Sequence, residues 1–288
     1  MLAARFIDVG VLEPLRFHAT YSGLAEAQPR TAAPIAVWGR TTPHICLGQA
    51  QDPAAELASG LDVPIVRRPL GGGAVWVDES QYCVVLIAPR AWAPSQPAQW
   101  FAWALMPVIA TYRSFGLEVT LREQDLWIAG RKIAGSGAAT LGGCAVIATS
   151  FMLHFPAARF ARCIASPSPG FHRALVAALA TSITDWESHA APPRAAVLQQ
   201  RFRNTLHETL GWRARDDRIT AAERRAIDAA RDELADCGHA SGRRLVPGGI
   251  KLNAARSLAE NAEAGRRVRR MTVEGRTVSI EVDGAAHS

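Results

Sequence analysis

Arg67-Arg68-Pro69-Leu70-Gly71-Gly72-Gly73-Ala74-Val75 is the stretch whose reading decides the fold. An apolar run, Val63 to Val66, leads into it, and a second, Ala74 to Val77, leaves it. Consecutive glycines accept backbone dihedrals that other residues avoid, and they let a ligand lie against exposed N–H groups. The paired arginines are suited to a phosphate or a carboxylate. The pattern differs from a Walker loop, which ends in Gly-Lys-Ser/Thr, and from the GxGxxG turn that opens a helix. A tight hairpin with its arginines turned to solvent is the competing reading of the same residues.

A second segment carries chemistry: Asp125-Leu126-Trp127-Ile128-Ala129-Gly130-Arg131-Lys132-Ile133-Ala134-Gly135-Ser136-Gly137. Alternation from Leu126 onward predicts a hairpin with a tight turn at Gly130-Arg131. Lys132 follows that turn, and the small residues Ala134 to Gly137 let a substrate or another backbone approach. Of the 32 basic residues only Lys132 and Lys251 are lysines; the other 30 are arginines. An ammonium is a compact point charge, whereas a guanidinium is a planar fork. An ammonium at position 132 suits developing charge on a carboxylate, an acyl phosphate or a thioester oxyanion. Asp125 is a candidate Mg²⁺ ligand, because that ion is held by carboxylates together with phosphate oxygens. An ordinary lysine on a surface hairpin is the competing reading. Lys251 has no motif around it and reads as surface.

Together the two segments resemble the lipoate–protein ligase and octanoyltransferase superfamily, which includes the biotin–protein ligases. That family's first motif is an Arg-Arg pair, two residues, then Gly-Gly-Gly-Ala-Val, as in Arg67 to Val75. Its second is Asn-Asp-hydrophobic, a turn, then Gly-Arg/Lys-Lys-Ile-x-Gly-Ser-Ala, matched by Asp125 and by Gly130 to Ser136. A stretch of the form Pro-x-x-x-x-Gly-x-x-Gln is matched by Pro43, Gly48 and Gln51. The paired arginine points to the lipoate branch, closest to lipoate–protein ligase A. The resemblance runs from about residue 6 to residue 185. Departures stand at Leu70, Val77, Gln81, Gln124 and Ile147 to Ser150, where the family carries more polar groups.

The resemblance implies an α+β catalytic domain over residues 1–240, with a mixed sheet flanked by helices, and a small C-terminal extension over 241–288. It implies activation of lipoate or octanoate by MgATP to the acyl-adenylate, then transfer to a lysine of a lipoyl carrier domain. The carrier would be a 2-oxoacid dehydrogenase E2 or a glycine-cleavage H-type protein. Lys132 would be catalytic. Arg67, Arg68, Gly71, Gly72, Gly73, Ala74, Val75, Gly135, Ser136 and Ser150 would bind substrate and adenylate, with Asp125 on Mg²⁺. A thioester-dependent transferase would instead need a cysteine able to ionise. Cys163, 31 residues beyond Lys132, is the candidate, although a buried structural role is open to it too. A non-catalytic acyl- or nucleotide-binding homologue is the third possibility.

Composition bounds the rest. Of 288 residues, 49% are apolar and 20% charged, a globular balance that excludes a mostly disordered chain. No apolar run reaches the ~18 residues of a membrane span. Asp8 interrupts the N-terminus before a signal-peptide core can form, so a soluble, cytoplasmic protein is expected. Five cysteines without a CxxC imply neither a disulfide framework nor a zinc ribbon. The net charge of +6 suits steering of an acidic partner. The densest basic cluster, Arg266, Arg267, Arg269 and Arg270, lacks interleaved aromatics; it reads as an exposed face, and no nucleic acid is expected.

Strand-like runs dominate early, among them Phe6 to Val9, Ile35 to Trp38, His44 to Leu47, Tyr82 to Ala88, Glu118 to Leu121 and Ala145 to Phe155. Cys46 and Cys83 fall in such runs and read as core. A helix is predicted over His18 to Ala27, and another from Trp100 to Phe115, kinked at Pro107. Helices dominate from Phe171 on, with stripes Leu175/Leu179/Ile183 and Leu198/Phe202/Leu206/Leu210. Thr220 to Glu223 is a capping box opening a third late helix. Pro192-Pro193 reads as a linker. Tail strands are predicted at Gly249 to Leu252, Val268 to Val273 and Thr277 to Val282.

Overall fold

Tyr82, Val84, Leu86 and Ala88 alternate with Cys83, Val85 and Ile87, and all seven side chains are apolar. A strand of this kind is stable only with both faces covered, and that requirement shapes the molecule. The structure is a computed structural model describing residues 2–237 and 242–282. In chain order it holds β1 (Leu2–Leu12), α1 (Pro14–Glu26), β2 (Ile35–Thr41), β3 (His44–Leu47), α2 (Pro53–Glu56), β4 (Ile65–Arg67), β5 (Val75–Val77) and β6 (Gln81–Pro89). There follow α3 (Trp100–Ala104), α4 (Met106–Ser114), β7 (Thr120–Arg122), β8 (Asp125–Ile128), β9 (Arg131–Ala134), β10 (Gly137–Leu141) and β11 (Cys144–Met152). The remainder is α5 (Ala157–Cys163), α6 (Pro169–Ser182), α7 (Ala195–Leu210), β12 (Trp212–Asp216), α8 (Ala221–Cys237), β13 (Gly249–Lys251), β14 (Arg256–Glu263), β15 (Arg266–Val273) and β16 (Arg276–Val282).

A six-stranded mixed sheet, in the order β10-β11-β6-β2-β1-β12, forms the centre. Val84 and Leu86 share one core with Trp38, Phe151 and Phe202, under α3, α4 and α7. Val85 and Ile87 share the opposite core with Phe17, Leu24 and Ile227, under α1 and α8. The capping box is formed: the Thr220 hydroxyl accepts from the Glu223 N–H, and the Glu223 carboxylate accepts from the Thr220 N–H. The expected long helix around Pro107 is two helices. Pro107 sits in the first turn of α4, where its missing N–H costs nothing, so the chain restarts after Leu105 instead of kinking.

A third core joins the small β4-β3-β5 sheet to α5 and α6. Ile250, Leu252 and Leu258 of the C-terminal four-stranded sheet, β13-β14-β15-β16, insert into this same core beside Phe171, Leu175 and Leu179. The expected boundary at 240/241 lies outside the described residues. The basic cluster is not a free exposed face. Arg269 is buried between Glu260 (2.9 Å) and Glu281 (3.1 Å), and Arg267 and Arg270 pair with Glu260 and Glu263. No helix is long and apolar enough to cross a membrane among the described residues.

Candidate active site

The glycine stretch connects β4 to β5, both hydrogen-bonded to β3. Its conformation is imposed by close approach. Gly72 has φ +107°, and a Cβ on Gly48 would overlap the Gly72 carbonyl oxygen, so the Gly48 of the third matched stretch exists to let the loop come down on it. Gln51 closes the arrangement. Its side chain accepts from the Gly48 N–H at 2.9 Å, and its carbonyl accepts from Arg67 Nε at 3.2 Å.

Both arginines are buried and bonded to the protein, and Arg68 also lines the cavity described next. Arg68 Nε donates to the Gly71 carbonyl, and Nη2 to the Gly71 and Gly73 carbonyls. Nη1 reaches the Cys46 carbonyl and, at 3.4 Å, the Cys46 Sγ. All three nitrogens of this guanidinium therefore bond the protein, and the side chain braces the glycine loop against β3. Arg67 is buried and does not line the cavity described next.

That cavity opens between the glycine loop and the β8–β9 hairpin. Gly72, Gly73, Ala74 and Val75 line one side; Asp125, Lys132, Gly135 and Ser136 line the other, with Ser150. The hairpin turns at Ala129-Gly130, both at positive φ, one residue before the expected position. Lys132 Nζ lies 3.0 Å from Asp125 Oδ1, with the two side chains 14% and 5% exposed. Asp125 Oδ2 accepts from the Ala254 N–H at 2.6 Å. The Asp125 carboxylate is thus shared between the Lys132 ammonium and the Ala254 N–H at the cavity wall. The Ser136 hydroxyl donates to the Gln124 carbonyl, and Ser150 hydrogen-bonds the Gln81 side-chain carbonyl at 3.1 Å.

Lys251 corrects the sequence reading outright. It is half-buried and lines the same cavity, followed by Leu252, Asn253 and Ala254. Both lysines of this arginine-rich chain thus face one space, and their scarcity was the available signal. Among the described residues no carboxylate pairs with Lys251. The departures from the family pattern also converge: Leu70, Val77 and Ala148 line the cavity together with Cys83 and Val85, as an apolar wall of the α1 core.

Cys163 is placed elsewhere. It is buried in the third core, outside the cavity lining, and its thiol donates to the Arg159 carbonyl. Burial pushes its pKa up, against Arg159.

The family model for the lipoyl protein ligase A/B catalytic domain matches residues 20–206. A search of curated proteins finds no match. Among solved structures, the chain is similar to a bi-partite lipoate protein ligase from Thermoplasma acidophilum, studied with its E2 lipoyl domain. The TM-score is 0.74 at 17% identity, covering 85% of this chain and 100% of that one. It is similar to a lipoate-protein ligase A bound with ATP (TM-score 0.67, 16% identity, 81% and 95% covered). A third similarity is to P. falciparum LipL1 in complex with lipoate (TM-score 0.63, 10% identity, 97% and 84% covered). At such identities the likeness shows a shared fold, and the family match carries the rest: this chain belongs to the lipoyl protein ligase A/B catalytic-domain family.

Proposed function

We propose that the protein is an ATP-dependent acyl–protein ligase. It activates lipoate or octanoate with MgATP to the acyl-adenylate and passes the acyl group to a lysine of a lipoyl carrier domain. The observation that carries this reading is the convergence of Lys132 and Lys251 on one cavity that continues into an apolar wall. A cavity with cations at one part and apolar side chains at another fits a molecule with an anionic head and an aliphatic chain.

In the first step a carboxylate oxygen attacks the α-phosphorus, and pyrophosphate leaves. Both reactants are anionic, so fixed positive charge lowers the barrier to their approach. Lys132, held by Asp125, supplies that charge at a set position. Lys251 supplies a second ammonium from the C-terminal sheet. In the second step the carrier's amine attacks the acyl carbonyl, and AMP leaves with the bonding electrons. Lys132 then offsets charge on the carbonyl oxygen. Magnesium arrives as part of the nucleotide substrate, and no step is assigned to it on Asp125.

Relatives of the same fold support the reading: one is bound with ATP, one is in complex with lipoate, and one was studied with an E2 lipoyl domain. The net charge of +6 favours encounter with an acidic carrier surface. The test is intact-mass analysis of a lipoyl carrier domain incubated with the enzyme, MgATP and lipoate or octanoate. One acyl addition on the carrier, dependent on ATP, is expected. Addition from an acyl thioester alone, with none from acid and ATP, would overturn the reading.

A further inference from the structure

Three buried side chains beside the cavity have no part in the ligation chemistry. His18 on α1, and His44 and Cys46 on β3, bring one ring nitrogen of each histidine and the Cys46 Sγ within 4.8 Å of one another. None is more than 6% exposed. His18 and Cys46 line the cavity, and His44 stands behind them.

The orientation of both rings is fixed by their other nitrogens. His44 Nδ1 lies 2.9 Å from the Thr42 carbonyl oxygen. A carbonyl only accepts, so this nitrogen carries the proton and Nε2 presents its lone pair. His18 Nδ1 lies 3.0 Å from the Tyr21 hydroxyl, and its Nε2 faces the His44 Nε2 at 3.2 Å. Two facing ring nitrogens need something between them. Either His18 donates a proton to His44, with the Tyr21 hydroxyl donating to His18 Nδ1, or both lone pairs face a cation.

The neighbouring sulfur favours the cation. Cys46 Sγ completes a set of three buried ligand atoms that all lie within 4.8 Å of one another, which a hydrogen bond between two rings does not require.

We propose that His18, His44 and Cys46 form a three-ligand site for a borderline-soft cation of the Zn²⁺ class, with its fourth position open to the cavity. Two imidazoles and a thiolate suit zinc-type ions and not magnesium or calcium, which take oxygen ligands. Zinc–nitrogen bonds of ~2.0–2.1 Å at a tetrahedral angle place two nitrogens about 3.3–3.4 Å apart, close to the 3.2 Å seen here. Anchoring of the far ring nitrogens by a carbonyl and a hydroxyl is the support that metal-bound histidines require. With Arg68 already beside the thiolate, the fourth ligand that best balances charge is an anion or soft donor of a molecule in the cavity.

The test uses the full chain and reads metal, not turnover, so its outcome is independent of the ligase reading. Purified protein is stripped with a chelator, then titrated with Zn²⁺ and with Co²⁺. One equivalent of Zn²⁺ should be retained through desalting, and Co²⁺ should give a thiolate-to-cobalt charge-transfer band with tetrahedral d–d absorption. Cys46→Ser, nearly isosteric, should lose the charge-transfer band, and His44→Gln should weaken Zn²⁺ retention at least tenfold. The urea midpoint of the stripped variants, compared with that of stripped wild type, reports whether they fold. If they do not, the wild-type cobalt spectrum still decides. Failure of the wild type to retain an equivalent, or a cobalt spectrum without thiolate character, would overturn the site.

Discussion

Replacing Lys132 by Met removes the ammonium and keeps most of the side chain's length and apolar bulk. The structure sets the size of the effect. At 3.0 Å, an effective dielectric of ~20 gives about 5–6 kcal/mol of attraction between the charges. Desolvation of both groups offsets much of this, so the net worth of the pair is small. Removing one partner alone is different. The Asp125 carboxylate, 5% exposed, would keep the Ala254 N–H and lose its counter-charge, at an expected cost of ~3–5 kcal/mol. Lys132→Met combined with Asp125→Asn leaves no buried charge and should recover a good part of that loss. Urea denaturation of wild type, both single variants and the double variant gives the coupling energy, expected at ~1–3 kcal/mol. Turnover should behave otherwise: Lys132→Met and the double variant should be crippled, because the proposed chemistry needs the ammonium, and Asp125→Asn should be impaired because the ammonium loses the carboxylate that holds it. Additive stability losses in the cycle, or wild-type turnover in Lys132→Met, would refute the assignment of Asp125 as the anchor of a working Lys132.

Other perturbations separate the roles of neighbouring residues. Lys251→Ala should leave the urea midpoint near wild type but raise KM for ATP or lower kcat about tenfold, the worth of roughly one charge-assisted hydrogen bond; steady-state kinetics in both substrates decide which. Cys163→Ala should keep wild-type turnover and lose only ~1 kcal/mol of stability, whereas abolished turnover in a folded variant would move the chemistry to a thioester. Acid should loosen α8. Burial resists ionisation of Glu223, but Arg5 and the Thr220 cap hold its pKa below the ordinary carboxylate range. A depressed folded-state pKa contributes stability that is present above the unfolded value, ~4.3, and is lost as pH falls through the folded value. The wild-type urea midpoint should therefore drop between pH 5 and 3 more steeply than that of Glu223→Gln.

The legible parts of this molecule were those where pattern and local chemistry agree. The buried strands β2, β6 and β11 announced themselves as largely apolar runs, and the helix stripes of α6 and α7 as apolar repeats at helical spacing. The family resemblance grouped Gly72, Gly73 and Lys132 as site residues, and all three line the cavity. The edge strands were harder. β10 is Gly137-Ala138-Ala139-Thr140-Leu141, too small and too little patterned to read as a strand, yet it pairs with β11 along its whole length. β14 mixes charges with apolar residues because its buried face carries Glu260, paired with Arg269 and accepting from Ser168, beside the core residue Leu258. Local chemistry did not show how Arg68 and Asp125 are held: both line the cavity, and both also bond the protein, Arg68 to the glycine loop and Asp125 to Lys132 and Ala254. Lys251 was out of reach of motif reasoning, since its place at the cavity follows from the packing of Ile250 and Leu252 into the third core.

The central claim is that this cavity activates an acid with ATP. ATP–pyrophosphate exchange by the purified full chain tests it most directly, with lipoate, octanoate and biotin supplied in turn. The account predicts exchange that depends on lipoate or octanoate, is not supported by biotin, and vanishes in Lys132→Ala. A folded protein that catalyses no exchange with any of the three acids would contradict it.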